Sequence, residues 1–326
     1  MESYEASFKT GADPYDVLEA HDQRLYELLS NSVNSSDTVS IRDTLQDSLE
    51  DLLNPQSGLK TGLDIDKLTN GFQPLNYILA ARPGMGKTAL ALTIAKRLMD
   101  KQPVGFISLE MSRMSLTQRL ISTEAAVPMH LAKSGFLKEQ DEKALVDASK
   151  RLFDNSNNLV INDTPALTVS QMRTIGRKMV KQHGVGMLIM DYLQLGASDN
   201  ERDDPRVRVS KISQGLVAMR KELGIPILSL AQLSRAVENR GGDKKPQLAD
   251  LKESGDIEQD ADMVTFLYRP EYYGITEDTM GESTENTAQF IVAKHRDGPT
   301  GTKTLYYEPS TMKFDNLRKT EEPTPF

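Results

Sequence analysis

AARPGMGKTALAL, residues 80–92, is the stretch on which the reading of this chain turns. It lies between an apolar run, Asn76–Ala80, and a helical pattern that sets Leu90, Ile94 and Leu98 on one face. A loop ending in Gly86-Lys87-Thr88, between a strand and a helix, has the context that phosphate binding requires. Gly84 and Gly86 let the backbone approach phosphate oxygens with no side chain in the way, and the amides at the helix start favour an anion. Met85 and Ala89 belong to the same cradle. Lys87 is placed to reach the β- and γ-phosphates and the Thr88 hydroxyl to ligate Mg²⁺, so ATP and Mg²⁺ are the expected ligands. The strict motif has Gly where this chain has Ala81. The strand–loop–helix context carries the assignment across that difference.

Outward from this loop, apolar runs alternate with helical patterns. The runs are Asn76–Ala80, Val104–Leu109, Leu159–Asn162, Gly186–Met190 and Pro226–Leu230, with periodic stretches such as Met172/Ile175/Met179 between them. This alternation predicts an α/β fold with a mostly parallel sheet sandwiched by helices. From Met263 the pattern becomes strands joined by turns, MVTFLYR, TAQFIVAKH and TKTLYYEP, which predict an antiparallel C-terminal extension of the same sheet.

Nucleotide hydrolysis also needs a group that holds Mg²⁺ through water, a group that activates the attacking water and a group that senses the γ-phosphate. Ligands of open α/β sheets bind at the C-terminal ends of strands. GMLIMD ends there in Asp191, VGFISLE in Glu110 and PILSLAQ in Gln232. Asp191 fits the metal-holding role, Glu110 the water-activating role and Gln232 the sensing role. A single acidic residue at a strand end is usually only solvated. Three polar strand ends following a phosphate loop form a set.

The segments ARPGMGKT, SLEMS, MDYLQL, LSLAQLSR and above all DLKESGDIEQDAD (residues 250–262) resemble the helicase domain of the DnaB-like replicative DNA helicases. The resemblance runs from Leu59 to about Asn316, and Ala in place of the first loop Gly is common in that family. It implies a RecA-like fold, ATP-driven translocation on single-stranded DNA with unwinding of the duplex, and a homo-hexameric ring with ATP bound between subunits. It also implies residues that reach the nucleotide from the neighbouring subunit. In AKHRDGP, Lys294 and Arg296 match the family's basic pair, with Arg296 as an arginine finger, a role its planar and always-charged fork suits. On the residues alone, Arg296 also reads as an ordinary strand-end Arg before the Asp297-Gly298 turn. Arg119, on the helix after SLEMS, matches a family arginine near the phosphates and fits a solvated helix face equally well.

For DNA, the resemblance points to the loop of Lys252, Glu253, Ser254 and Gly255, where a basic side chain, Gly and backbone amides can follow a strand without reading its sequence. A second candidate for DNA contact is Arg202/Arg206/Arg208/Lys211, where the interleaved Glu201, Asp203 and Asp204 favour a solvated loop. A third basic cluster, Arg240/Lys244/Lys245, reads as flexible, and no aromatic residues interleave with either to stack bases. At the N-terminus, DPYDVLEAHDQRLYELL (residues 13–29) starts with Asp-Pro at the N-cap and first helical position and carries one apolar stripe. On the residues alone that stripe fits packing on its own domain as well as docking on a neighbouring subunit. The segment resembles the family's linker helix, which implies docking on the adjacent subunit. Residues 1–39 are thus expected to comprise a disordered start, this helix and a flexible linker used in oligomerisation, and residues 40–326 the RecA-like ATPase domain. The helical domain that precedes the linker helix in the family is not seen in this sequence. Primase and a helicase loader stand as partners implied by the family.

The totals exclude several other classes. The 326 residues contain no Cys, which removes disulfide scaffolds and thiolate metal sites and suits a reducing cytoplasm. No apolar run approaches the roughly 20 residues of a membrane span, and MESYEASFK has no signal-peptide pattern. A net charge of −8 argues against wrapping duplex DNA over an open basic face, but permits a strand held by a few loops inside a channel. Two alternatives to a helicase stay open on these residues: a RecA-like recombination or repair ATPase that forms filaments on DNA, and a non-motor ATPase that oligomerises on ATP.

Overall fold

In the strand that precedes the phosphate loop, alternate residues enter two different cores. Tyr77, Leu79 and Ala81 pack on one side of the sheet, and Ile78 and Ala80 on the other. A strand with both faces covered is the interior strand of a sheet sandwiched by helices, which explains its unbroken apolar reading. The computed structural model describes residues 40–54, 57–154, 158–197, 204–242 and 244–317. The chain divides into two compact units, Met1–Gln56 and Ser57–Phe326.

In the first unit the described element is a helix, α1 (Ile41–Leu53), at whose start Ser40 Oγ accepts a hydrogen bond from the Arg42 N–H at 3.2 Å. The helix expected over residues 13–29 lies outside the described residues.

The second unit is built on a nine-stranded sheet. Its strands are β1 (Asn76–Ala81), β2 (Val104–Ser108), β3 (Leu159–Asn162), β4 (Met187–Asp191), β5 (Ile227–Gln232), β6 (Met263–Tyr268), β7 (Thr287–His295), β8 (Gly301–Glu308) and β9 (Lys313–Asn316). They lie in the order β3-β2-β4-β5-β1-β6-β7-β8-β9. Pairing is parallel from β3 to β6 and antiparallel from β6 to β9, as the change of sequence pattern at Met263 predicts. The fourth antiparallel strand, β9, was not among the expected runs.

Helices cover both faces. Over one face lie α2 (Lys87–Met99), whose Leu90, Leu92, Ile94 and Leu98 are buried, and α3 (Arg113–Ala125), with Leu116 and Leu120. Over the other lie α4 (Val169–His183), with Met172 and Met179, and α5 (Pro205–Leu223), with Ile212, Leu216 and Met219. Gly105 on β2 allows the second layer to approach closely, because a Cβ there would stand 2.6 Å from Leu188 Cδ2 and 2.9 Å from Met179 Sδ.

Capping sets where α4 begins. Thr168 Oγ1 accepts from the Gln171 N–H, and Gln171 Oε1 accepts from the Thr168 N–H at 2.9 Å. This reciprocal pair satisfies two otherwise orphaned backbone donors. Thr168→Ala is expected to lower unfolding free energy by about 1 kcal/mol. Urea denaturation checks this, and an unchanged midpoint and slope would remove the stabilising role of the cap.

Candidate functional site

The chain leaves β1 through Arg82-Pro83 and turns back into α2 over Gly84-Met85-Gly86. Gly84 and Gly86 have φ of +81° and +95°, the left-handed region that costs an L side chain energy and Gly none. The positions are also crowded. A Cβ at Gly84 would meet the Tyr272 ring at 3.2 Å, and one at Gly86 would meet Phe314 at 3.1 Å and Tyr307 at 3.4 Å. Met85 is buried, so its side chain anchors the loop in the core and leaves its backbone to face a ligand.

The loop borders a cavity of about 280 Å³ lined by Gly84, Gly86, Lys87, Thr88, Ala89, Glu110, Arg119, Tyr192 and Gln232, among others. Four residues expected from separate strand and helix ends, Lys87, Thr88, Glu110 and Gln232, are thus brought together. Asp191 ends β4 at the floor of the same site. It is fully buried, its Oδ2 accepts from Thr88 Oγ1 at 2.7 Å, and its Oδ1 is buried without a hydrogen-bond partner. Burial raises the pKa of this carboxyl, against the pull of the Lys87 ammonium and the Thr88 hydrogen bond. Burial likewise lowers the pKa of Lys87, against the Asp191 and Glu110 carboxylates, which favour its charged form. A buried carboxylate with a free lone pair beside a threonine hydroxyl and a phosphate loop fits a hydrated divalent cation, which would restore the missing solvation.

The end of β5 is pinned in place. Gln194 donates through Nε2 to the Gln232 carbonyl at 3.1 Å and accepts from the Gln232 N–H at 3.2 Å, so the backbone is fixed while the Gln232 side chain borders the cavity. Arg119 borders the cavity too, on α3.

Lys294 and Arg296 are at the opposite end of the strands from the phosphate loop. His295 pairs with Met263, and Met263 with Tyr77, which places the end of β7 beside the beginning of β1. The phosphate loop leaves the far end of β1, roughly 13 Å away at ~3.3 Å per residue. There Lys294 Nζ donates to the carbonyls of Glu258 and Gln259, at 2.5 and 3.2 Å, covering the C-terminus of a short helix, α6 (Gly255–Asp260). Arg296 Nη1 pairs with Asp262 Oδ1 at 3.0 Å, and the arginine side chain remains 55% exposed. Neither residue lines its own chain's phosphate cavity.

The segment matched to DNA contacts is helical in its backbone. A 3-10 run, Leu248–Ser254, carries Lys252 and Glu253 and leads directly into α6 at Gly255. The Asp250 carboxylate shapes this turn by accepting from the Gln247 N–H at 2.7 Å. The side chains of residues 252–256 lie outside the described residues.

The other basic clusters divide. Arg202 lies outside the described residues; Arg206 and Arg208, at the start of α5, border a second cavity of about 560 Å³ next to the first. The third cluster, expected to be flexible, has partners for Arg240 and Lys244. Arg240 pairs with Asp250 and donates to the Lys245 carbonyl, and Lys244 lies 5.2 Å over the Tyr273 ring.

Sequence reasoning missed Tyr192, Tyr307 and Met312 at the cavity wall. Tyr192, whose ring carries the Lys87 ammonium at 4.5 Å, follows Asp191 directly and could have been found from that adjacency. Tyr307 and Met312 arrive through strand pairing and have no local signal.

Comparison with known proteins agrees with this geometry. Residues 58–316 match the family described as DnaB-like helicase C terminal domain. The replicative DNA helicase DnaB of Rickettsia felis is 40% identical over 336 residues, spanning 93% of this chain and 67% of that protein. A solved structure of a DnaB-like replicative helicase and its interactions with primase superimposes with a TM-score of 0.76 at 34% identity, over 91% of this chain and 72% of that one. A solved ATPase domain matches with a TM-score of 0.77 at 35% identity, over 86% of this chain and the whole of that domain. Among the described residues no helix is long and apolar enough to cross a membrane. With its RecA-like sheet, its phosphate loop and relatives matched along nearly its whole length, the chain belongs to the DnaB-like replicative DNA helicases.

Proposed function

We propose that the protein acts as a homo-hexameric ring that takes ATP with Mg²⁺ between neighbouring subunits and moves along single-stranded DNA, separating the duplex ahead of it. The convergence of Lys87, Thr88, Glu110, Asp191 and Gln232 on one site, with Arg296 exposed at the opposite end of the strands, supports this reading most directly.

In this reading the backbone of residues 84–89 cradles the phosphates, and Lys87 balances the charge on the β- and γ-oxygens. A magnesium ion accompanying the nucleotide would be held by Thr88 Oγ1 and, through water, by Asp191, and would neutralise charge across the β- and γ-phosphates. Glu110 orients a water molecule and accepts its proton as the oxygen attacks the γ-phosphorus; the bond to the bridging oxygen breaks and ADP leaves with its electron pair. Arg119 and Lys294 add positive charge at the nucleotide, Lys294 from the neighbouring subunit. Arg296 of that neighbour meets the charge that develops on the phosphoryl oxygens. Gln232 registers whether the γ-phosphate is present, and Lys252, Glu253 and Gly255 contact the DNA backbone in the channel. Residues 13–29 tie adjacent subunits together, and primase, whose interactions the related structure includes, is the proposed protein partner.

The test is strand separation on a forked duplex by the purified protein. Unwinding that requires both ATP and Mg²⁺ is expected. ATP hydrolysis without unwinding, accompanied by filaments along DNA, would instead select a recombination-type ATPase.

A further inference from the structure

We infer that Arg82 and Glu238 form a positioning pair that links the phosphate loop to the DNA-contact segment, by a route separate from Gln232. Arg82 opens the phosphate loop, yet its guanidinium points along the sheet edge to the chain that follows β5. Nη1 donates to the Leu233 carbonyl at 2.7 Å, and Nε and Nη2 donate to Glu238 Oε1 at 3.0 and 2.7 Å. The Leu233 N–H donates in return to the Ala81 carbonyl at 3.1 Å. The beginning of the phosphate loop and the end of β5 are therefore clasped from both sides. Arg82 is only 7% exposed, so its charge depends on these partners; a buried guanidinium without them is costly.

The clasp continues toward the DNA segment. The Ser234 N–H donates to the Asp250 carbonyl at 3.2 Å, and the buried Asp250 carboxylate takes both the Arg240 guanidinium and the Gln247 N–H. Asp250 lies in the same 3-10 run as Lys252 and Glu253. A shift of the phosphate loop on gain or loss of the γ-phosphate must then move Leu233 and Glu238, or break their bonds to Arg82. Through Ser234 and Arg240 that displacement reaches the turn that sets the backbone of residues 252–255. Linkage makes this reciprocal: DNA held at that turn biases the phosphate loop by the same free energy.

This inference rests on the reading of residues 252–255 as the DNA contact, and the experiment separates the two. Affinity for fluorescent oligo-dT is measured with a non-hydrolysable ATP analogue and with ADP, for the unaltered full chain and for Glu238→Ala, Glu238→Gln, Arg240→Ala and Lys252→Ala. The unaltered protein is expected to show at least an approximately fivefold difference between the nucleotide states. Glu238→Ala and Arg240→Ala are expected to unfold at a lower temperature, because each leaves a buried charge without its partner. In the folded protein, with DNA-free ATP turnover retained, they are expected to reduce that difference to under about twofold. Glu238→Gln, which keeps an acceptor for Arg82, is expected to recover part of it. A full difference in folded Glu238→Ala overturns the link, as does the absence of any difference in the unaltered protein. Lys252→Ala is expected to weaken DNA in both states; if it does not, the DNA-contact reading fails on its own account.

Discussion

Glu110→Gln is expected to lower steady-state ATP turnover about 100- to 10,000-fold, the range attributed to a general base in position. Nucleotide affinity is expected to stay within about threefold, because Glu110 acts on water and not on the phosphates. Glu110 lies past the end of β2, exposed at the cavity mouth, so its amide removes a proton acceptor without disturbing the core. Loss of one carboxylate facing Lys87 also removes a negative charge that favours the ammonium form. Nearby Asp191 remains as the stronger of the two carboxylates that favour the charged form. Turnover and the binding of a fluorescent ATP analogue measure the two quantities separately. Unchanged turnover would remove Glu110 from the reaction, and a parallel loss of binding and turnover would make it a binding residue.

Arg296→Ala is expected to lower turnover further, by about 1,000- to 100,000-fold, the range for an arginine finger. Its distance along the sheet from its own phosphate loop makes a stronger prediction possible. Arg296→Ala subunits retain a complete phosphate loop, and Lys87→Ala subunits retain a complete Arg296. When the two inactive proteins are mixed, interfaces that combine the intact halves are expected to regain hydrolysis. No recovery on mixing, with mixed rings shown by mass, would place the action of Arg296 within its own chain or in structure alone. The structural contribution is separable because Arg296 also pairs with the buried Asp262, whose Oδ2 is held by the Asn76 N–H at 2.9 Å. Arg296→Gln keeps a hydrogen-bond donor to Asp262 but not the charge. It is expected to match Arg296→Ala in turnover while unfolding at the temperature of the unaltered protein.

The phosphate loop and the strand ends were legible in the sequence because their signals are local. Gly84 and Gly86 are required by the backbone angles of one turn, and Asp191, Glu110 and Gln232 each end an apolar run that can only be a buried strand. The runs Leu159–Asn162 and Thr287–His295 became strands with the boundaries their sequence predicts. Strand β9 was not legible, since Lys313–Asn316 is four residues with a single apolar side chain. It forms because β8 offers a pairing edge and because Phe314 packs at 4.6 Å from the Tyr307 ring, under Gly86.

By itself, then, the sequence determined the sheet-and-helix class, the phosphate loop and most of the polar residues that the structure gathers around it, through hydrophobic period and glycine conformation. Only the tertiary structure decided which end of the sheet each of these residues occupies. The β6–β7 register sends Lys294 and Arg296 away from their own phosphate loop, and long-range pairing brings Tyr307 and Met312 into the cavity. It also gave Arg240 and Lys244, expected in a flexible cluster, their partners Asp250 and Tyr273, and tied Arg82 to Glu238 across 156 positions of chain. Contacts between residues so far apart in sequence depend on strand order and register, which no local pattern encodes.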